Sequence, residues 1–230
     1  MIVGVHQPNY IPWLGYFRKL ALCDVFVFFD HVQMPGGKSF VSRNAIKTAQ
    51  GRAWLTVPVS GKGPGTRIID AAVVGDGWAR KHLRTLKLAY SRAPAVAIVE
   101  EMVEPILNEG HAQVADLNIA LIQMMAQLFG FGSMKFVRAS KMDLQSNGAE
   151  SIHEILELTG AKRYLTGSGE GSLRHLDTER LGKNGIETEI FDWVSSTYRQ
   201  QHGAFETNLS AIYAILNCGP DEAAALIARP

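Results

Sequence analysis

The sequence predicts an α/β domain: a Rossmann-like, mostly parallel sheet with helices on both faces and a helical insertion at about residues 78–130. Three observations predict it. The first thirty residues read strand, turn, helix, strand. Two of those strands are apolar without alternation, the pattern of strands buried on both faces. After a helical block, strands and helices alternate again as far as residue 191, which points to a parallel sheet covered on both sides.

Each element has a local reason. Ile2 to Val5 is a short β-branched run. Pro12 stands where a helix takes its first residue, and Trp13 to Leu22 continue that helix. Val25 to Phe29 form the second strand, ending at Asp30. The Met34-Pro35-Gly36-Gly37-Lys38 stretch reads as a turn or loop. Trp54 to Val59 is expected as a third strand, with Arg67 to Val74 as its pairing partner. Trp78 to Ser91 places Ala79, Leu83, Leu86 and Tyr90 on one helical face. Pro94 opens a helix to about Leu107, and Val114 to Phe129 is a long amphipathic helix stopped by Gly130 and Gly132. Lys135 to Arg138, Arg163 to Thr166 and Glu187 to Phe191 are strands. Ala149 to Thr159 is a helix with Gly160 as its stop, His175 to Lys183 is expected as another, and the tail from Leu209 is helical.

With 230 residues and 47% hydrophobic content, the chain is long enough for one domain with its own core, and residues 1–230 are read as a single unit. A formal net charge of +1 gives no global attraction to nucleic acid or to an anionic membrane. Neither nucleic acid nor membrane is therefore an expected partner. No apolar run approaches the roughly 20 residues that cross a bilayer. Two cysteines, Cys23 and Cys218, without CxxC spacing or an apolar leader, point to the reducing cytoplasm. No HxxxH or CxxC spacing suggests a metal site, and no GxSxG elbow is present, so neither metal nor cofactor is expected.

Ligands of open α/β sheets bind at the carboxyl ends of the strands. Three polar clusters fall there. His6-Gln7-Pro8-Asn9 follows the first strand. His6 is a candidate general base, with Gln7 and Asn9 offering amides; the competing reading makes His6 a satisfied core histidine and Asn9 a helix cap. Asp30-His31-Val32-Gln33 follows the second strand. Asp30 either orients His6 or holds a substrate hydroxyl, with Gln33 beside it, unless the segment is a solvated loop. Ser42-Arg43-Asn44 offers an anion contact through Arg43, the alternative being ordinary surface. Gly167-Ser168-Gly169, in the glycine-rich turn from Thr166 to Gly171, could bring backbone N–H groups to a phosphate or an acyl oxygen. Arg80, Arg84 and Lys87 line one face of the helix from Trp78, with no acid between residues 77 and 99. That face is either solvated or receives phosphates or an acidic partner. His82 lies off the Leu83–Leu86 stripe and is expected outside the core.

The opening HQPNYIPWLGYFRKLALCDVFVFFDHVQ resembles the WbqC-like family, which is associated with bacterial polysaccharide and O-antigen gene clusters. The resemblance continues through Ser42 to Lys47, Trp54 to Val59, Trp78, Lys81-His82, Tyr90 and Tyr164-Leu165-Thr166-Gly167. It closes on Tyr198, Gln200 or Gln201, Phe205, Ser210 and Asn217. The sequence departs from that pattern at Ser172-Leu173-Arg174-His175, where an aromatic is expected before Leu-Asp. The resemblance implies transfer of an acyl or aminoacyl group, such as glycyl, from a thioester donor or acyl-carrier protein to a nucleotide-linked amino sugar. His6 and Asp30 would then be catalytic. Gln7, Asn9, Gln33, Arg43, Asn44, His82, Gly167, Ser168, Gly169 and Tyr198 would bind substrate. The strand, turn and Pro-Trp-Leu-Gly-Tyr also resemble, more distantly, the opening of HxGH nucleotidylyltransferases, with Trp13 and Tyr16 in the histidine places and Ser195 to Arg199 similar to their SSTxxR motif. The alternatives to transfer are thus a non-catalytic nucleotide-sugar binding module and a divergent nucleotidylyltransferase.

Overall fold

Strand β1 (Ile2–His6) sits at the centre of a five-stranded, wholly parallel sheet. Its neighbours are β2 (Val25–Phe28) on one side and β6 (Arg163–Gly167) on the other. Beyond them β5 (Lys135–Arg138) and β7 (Glu187–Phe191) form the edges, giving the order β5-β2-β1-β6-β7. The computed structural model describes residues 1–61, 65–173 and 176–228, apart from the side chains of residues 170 and 171.

The pleat sorts the sheet's side chains between two cores. Val3, Val5, Val25, Val27 and Tyr164 face a layer that includes Ile155 and Leu156 of α5 (Glu150–Thr159) and Leu181 of α7 (Thr178–Lys183). Phe26, Phe28 and Leu165 face the larger core. That core contains α1 (Leu14–Ala21), α4 (Val114–Leu128), α8 (Ala211–Cys218) and α9 (Pro220–Ala228). Helices therefore cover both faces, as unalternated apolar strands require. Gly4 makes room for the turn between α1 and β2: a Cβ there would lie 2.6 Å from the Cys23 sulfur.

The helical insertion joins the same large core. Leu83 and Leu86 of α2 (Trp78–Ala89), Leu107 of α3 (Glu104–Asn108) and Leu121 of α4 all belong to it. The helix expected to open at Pro94 becomes regular only later, through a π-helical turn at Val99–Val103 that leads into α3. Pro105 supplies the reason, since it lacks the N–H that would bond four residues back and its ring crowds that carbonyl.

Two sequence expectations need correction. Ser42-Arg43-Asn44 is not ordinary surface: Ser42 and Asn44 are buried and Arg43 half-buried, and β3 (Arg43–Thr48) pairs antiparallel with β4 (Gly51–Thr56) as a separate hairpin. The third strand is thus displaced toward the N-terminus from the expected Trp54–Val59. Arg67 to Val74 contributes a 3₁₀ turn at Ile68–Asp70 and isolated bridges, Gln33 to Arg67 and Val59 to Val73. The hairpin turn closes through Gly51 at φ +94°, a left-handed backbone that Gly adopts without steric cost. Gly160 behaves as expected, ending α5 at φ +67°. The helix expected from His175 is described from Thr178 onward, and Arg174 and His175 lie outside the described residues. No helix among the described residues is long and apolar enough to cross a membrane.

Candidate functional site

The turn after β1 is held rigidly from below. Tyr10 donates its backbone N–H to the Phe40 carbonyl at 2.9 Å. Asn44 Nδ2 donates to the Ile11 carbonyl at 2.8 Å and the Tyr10 carbonyl at 3.3 Å, while its Oδ1 accepts from the Ala45 N–H. Asn118 Nδ2 donates to the carbonyls of Pro8 and Val41, both at 2.8 Å. Both asparagines are fully buried. Their bonds satisfy carbonyls of an irregular segment that would otherwise be desolvated without partners. The turn is also strained, because Ile11, β-branched and buried, sits at φ +33°.

His6 ends β1 on the α1 side. Its ring packs edge-on against Tyr16 at 4.7 Å and against Trp13 at 6.0 Å between centroids. Nδ1 lies 3.0 Å from the Gln7 carbonyl, which also accepts from the Tyr16 hydroxyl at 3.3 Å. A carbonyl only accepts, so Nδ1 carries the hydrogen and Nε2 presents a lone pair. Beneath the ring, buried Lys19 donates to the Val5 carbonyl at 2.9 Å. Desolvation first, and the Lys19 charge second, push the His6 pKa down to about 3. Lys19 is itself lowered to about 8 by burial. His6 is therefore neutral across the physiological range.

His6 and Gln7 line a cleft of about 270 Å³ with Val5, Phe29, Ile152, Tyr164, Gly169 and Ser172. It opens at the carboxyl ends of β1 and β6. The structure thus brings His6, Gln7 and the glycine turn of β6 to one place. Gly167 closes the strand, and a Cβ there would meet Ser172 Oγ at 3.4 Å. Ser168 is exposed, its hydroxyl 3.4 Å from Asp192 Oδ1. Asn9 is buried in the same turn, beside Pro8.

The other candidates are placed elsewhere. Asp30 is fully buried, and both its oxygens are engaged. Oδ2 accepts from Arg138 Nε and Ser140 Oγ, each at 2.7 Å, and Oδ1 from the Ser140 N–H at 2.8 Å. Arg138 extends the chain to Asp116 of α4 at 2.6 Å. None of the hydrogen bonds or ring contacts of His6 involves Asp30. Gln33 is exposed, bridged through its backbone to Arg67 and outside the cleft lining. His31 Nε2 donates to Ser151 Oγ at 3.0 Å, because the serine hydroxyl donates onward to the Gly148 carbonyl.

His82 is corrected to a core position. It is buried against Trp78 and Tyr10. Its Nδ1 lies 3.0 Å from the Tyr10 hydroxyl. Burial lowers its pKa to about 4. The buried arc of α2 extends past the aliphatic stripe, and the hydrogen bond with Tyr10 makes an imidazole tolerable there. Tyr198 packs against Phe205 and Tyr213, and burial raises it to about 12. The side chains of Gln200, Ser210 and Asn217 bind backbone between residues 201 and 213, Asn217 Oδ1 accepting from the Gln201 N–H, and tie that segment to α8. Arg80 and Arg84 line an open groove with Lys87, but Lys87 is paired with Glu100 at 3.0 Å and Glu104 at 2.7 Å.

Sequence reasoning passed over Lys19 and Asn118 as contributors to this site, and met Tyr16 only as a residue in a histidine place of the distant HxGH resemblance. The only signal of Lys19 and Asn118 was apolar-face spacing on α1 and α4, which marks burial but not polar purpose. Among the described residues, no group of three His, Cys, Asp or Glu is placed to hold a metal ion.

A family model described as the WbqC-like protein family matches residues 7–225. The uncharacterized protein Rv1507c of Mycobacterium tuberculosis is 31% identical over 222 residues, covering 95% of this chain and 94% of its own. No solved structure matches.

Proposed function

Because the chain belongs to the WbqC-like protein family, we propose that it works in a polysaccharide-related setting as a transferase, moving an acyl or aminoacyl group from a thioester to the amine of a nucleotide-linked amino sugar. The observation that carries this reading is the cleft at the β1 and β6 carboxyl edge, where a tautomer-fixed His6 stands beside Gln7 and the Gly167–Gly169 turn.

The neutral amine attacks the thioester carbonyl and forms a C–N bond. His6 Nε2 takes the amine proton as the tetrahedral adduct forms. The Gln7 amide and backbone N–H groups of the glycine turn receive the oxyanion, while Asn9, buried outside the cleft lining, takes no part. The C–S bond then breaks, and the proton passes to the departing thiolate. Asp30, bound to Arg138 and Ser140, acts as a positioning residue for the strand ends. Arg80 and Arg84 offer a free acidic donor or carrier its counter-charge.

One observation favours a second reading. A base with a pKa of about 3 is far from the value matched to neutral pH, which suits a binding module that uses Nε2 only as an acceptor. Nucleotidyl transfer has less support. Trp13, Gly15, Trp193, Ser195 and Tyr198 do meet at the start of α1, but the space between them is only about 20 Å³, far below a small-molecule pocket of roughly 300 Å³ or more.

The test is mass spectrometry of amino-sugar nucleotides incubated with aminoacyl thioesters, using wild type and His6→Gln. Transfer is expected in wild type and about 10²- to 10⁴-fold slower in the variant, with sugar-nucleotide binding retained. Full activity in the variant removes His6 from the mechanism. Binding by both without turnover by either selects the binding module.

A further inference from the structure

Outside the cleft, the rings do not stop at Trp13. Phe40 lies 5.4 Å from Trp13, and Trp54 lies 6.3 Å from Phe40, centroid to centroid. Phe40 is 43% exposed and Trp54 40% exposed, unusual for large aromatic side chains in a chain with a well-filled core. The Arg43 guanidinium covers one face of the Trp54 indole at 3.9 Å. Arg43 has no acidic partner among the described residues, and its Nε is buried without a hydrogen bond. On the β3–β4 hairpin the two are diagonal neighbours, since Trp54 pairs with Ala45 and Arg43 with Thr56. Asn44 and the Tyr10 N–H tie this hairpin and Phe40 to the turn that carries His6.

We propose that Phe40 and Trp54 form a stacking platform for the base of a nucleoside diphosphate, with Arg43 receiving its phosphates. The proposal rests on the reading of a nucleotide-linked substrate and says where its nucleotide end lies. Every base has a π-face, so tilted exposed rings bind bases without demanding one base identity. Stacking on the indole pre-orients the guanidinium, whose planar fork matches phosphate oxygens. The unsatisfied Nε marks an arginine whose hydrogen bonding is incomplete in the free chain. A carbohydrate alone would leave that cation unmatched. A protein partner needs about 800 Å² per side, more than two half-exposed rings supply. The file of rings from Trp54 through Phe40 and Trp13 ends at His6, which directs the sugar end of the same molecule to the cleft.

Calorimetric titration with UDP, uridine and inorganic pyrophosphate tests this. Trp54→Ala and Phe40→Ala are each expected to weaken UDP about 5- to 150-fold and to leave pyrophosphate unchanged. Arg43→Gln is expected to weaken UDP and pyrophosphate and to spare uridine. Trp54→Phe keeps a ring and should retain most UDP affinity at an unchanged melting temperature, which separates stacking from misfolding. Wild-type UDP affinity in both alanine variants overturns the platform. So does failure of UDP, dTDP, ADP and GDP alike to bind wild type. Amide formation by wild type and both alanine variants at equal rates and equal UDP affinity sinks the platform while the transfer reading stands. Weakened UDP binding in the variants with no transfer by wild type upholds the platform and sinks transfer.

Discussion

Arg138 Nε lies 2.7 Å from Asp30 Oδ2, and the carboxylate it meets is wholly buried. This ion pair joins the ends of β2 and β5, and through Asp116 it reaches the first turn of α4. The acid that follows the second strand is thereby committed to architecture.

Removing one partner should therefore cost far more than the pair contributes, because a buried charge is left alone. Asp30→Ala is expected to lose about 3–5 kcal/mol of unfolding free energy in urea titrations. Replacing Asp30 with Asn and Arg138 with Met together should recover much of it. A stable Asp30→Ala protein with abolished transfer would return Asp30 to the reaction itself.

Stability should fall as pH falls from about 6.5 toward 4. The folded-state pKa values of His6, about 3, and His82, about 4, lie below the unfolded value of 6.5. The unfolded chain binds more protons in that window, so the stabilisation is fully present above 6.5 and lost on acidification. His82→Gln should flatten part of the melting-temperature profile between pH 6.5 and 4. An unchanged profile would mean that His82 is not held neutral by burial.

Lys19→Met should raise the His6 pKa without restoring 6.5, because desolvation is the larger cause and remains. NMR titration of the His6 ring reads this directly. A value unchanged at about 3 would show that the Lys19 charge does not reach the ring.

Asn44→Ala removes two hydrogen bonds from the strained turn and leaves the Ile11 and Tyr10 carbonyls unpaired. A loss of about 2–3 kcal/mol is expected, together with faster amide exchange at Tyr10 and Ile11. Thermal melts and hydrogen exchange check it, and exchange spread evenly over the sheet would contradict a local clamp.

Reversing Arg80 and Arg84 to Glu should leave the melting temperature nearly unchanged, since exposed charges contribute little. Donor binding should weaken and lose salt dependence. Lys87 is left out, being already neutralised by Glu100 and Glu104. Equal affinity at two salt concentrations would show the groove to be a solvated face.

The alternation of apolar strands and amphipathic helices was legible because periodicity is local: a side chain's face follows from its place in a 2- or 3.6-residue repeat. Hence β5 and β7 fall where the sequence puts them, at Lys135–Arg138 and Glu187–Phe191. The β3–β4 hairpin was not legible. Arg43-Asn44-Ala45-Ile46-Lys47 buries polar side chains whose partners lie far along the chain, such as Lys47 at the Ala204 carbonyl, so its polarity imitates a loop.

By itself, the sequence determined the sheet class, the helices on both faces, and the position of His6 and Gly167–Gly169 at strand carboxyl ends, all consequences of hydrophobic patterning read over a few residues. Only the tertiary structure decided what each polar residue does. It bound Asp30 to Arg138, buried His82 beside Tyr10, set Lys19 under His6, and left Phe40 and Trp54 open to solvent with Arg43 half-buried against the indole. Those outcomes depend on desolvation and on partners from other elements of the fold, which no local pattern specifies.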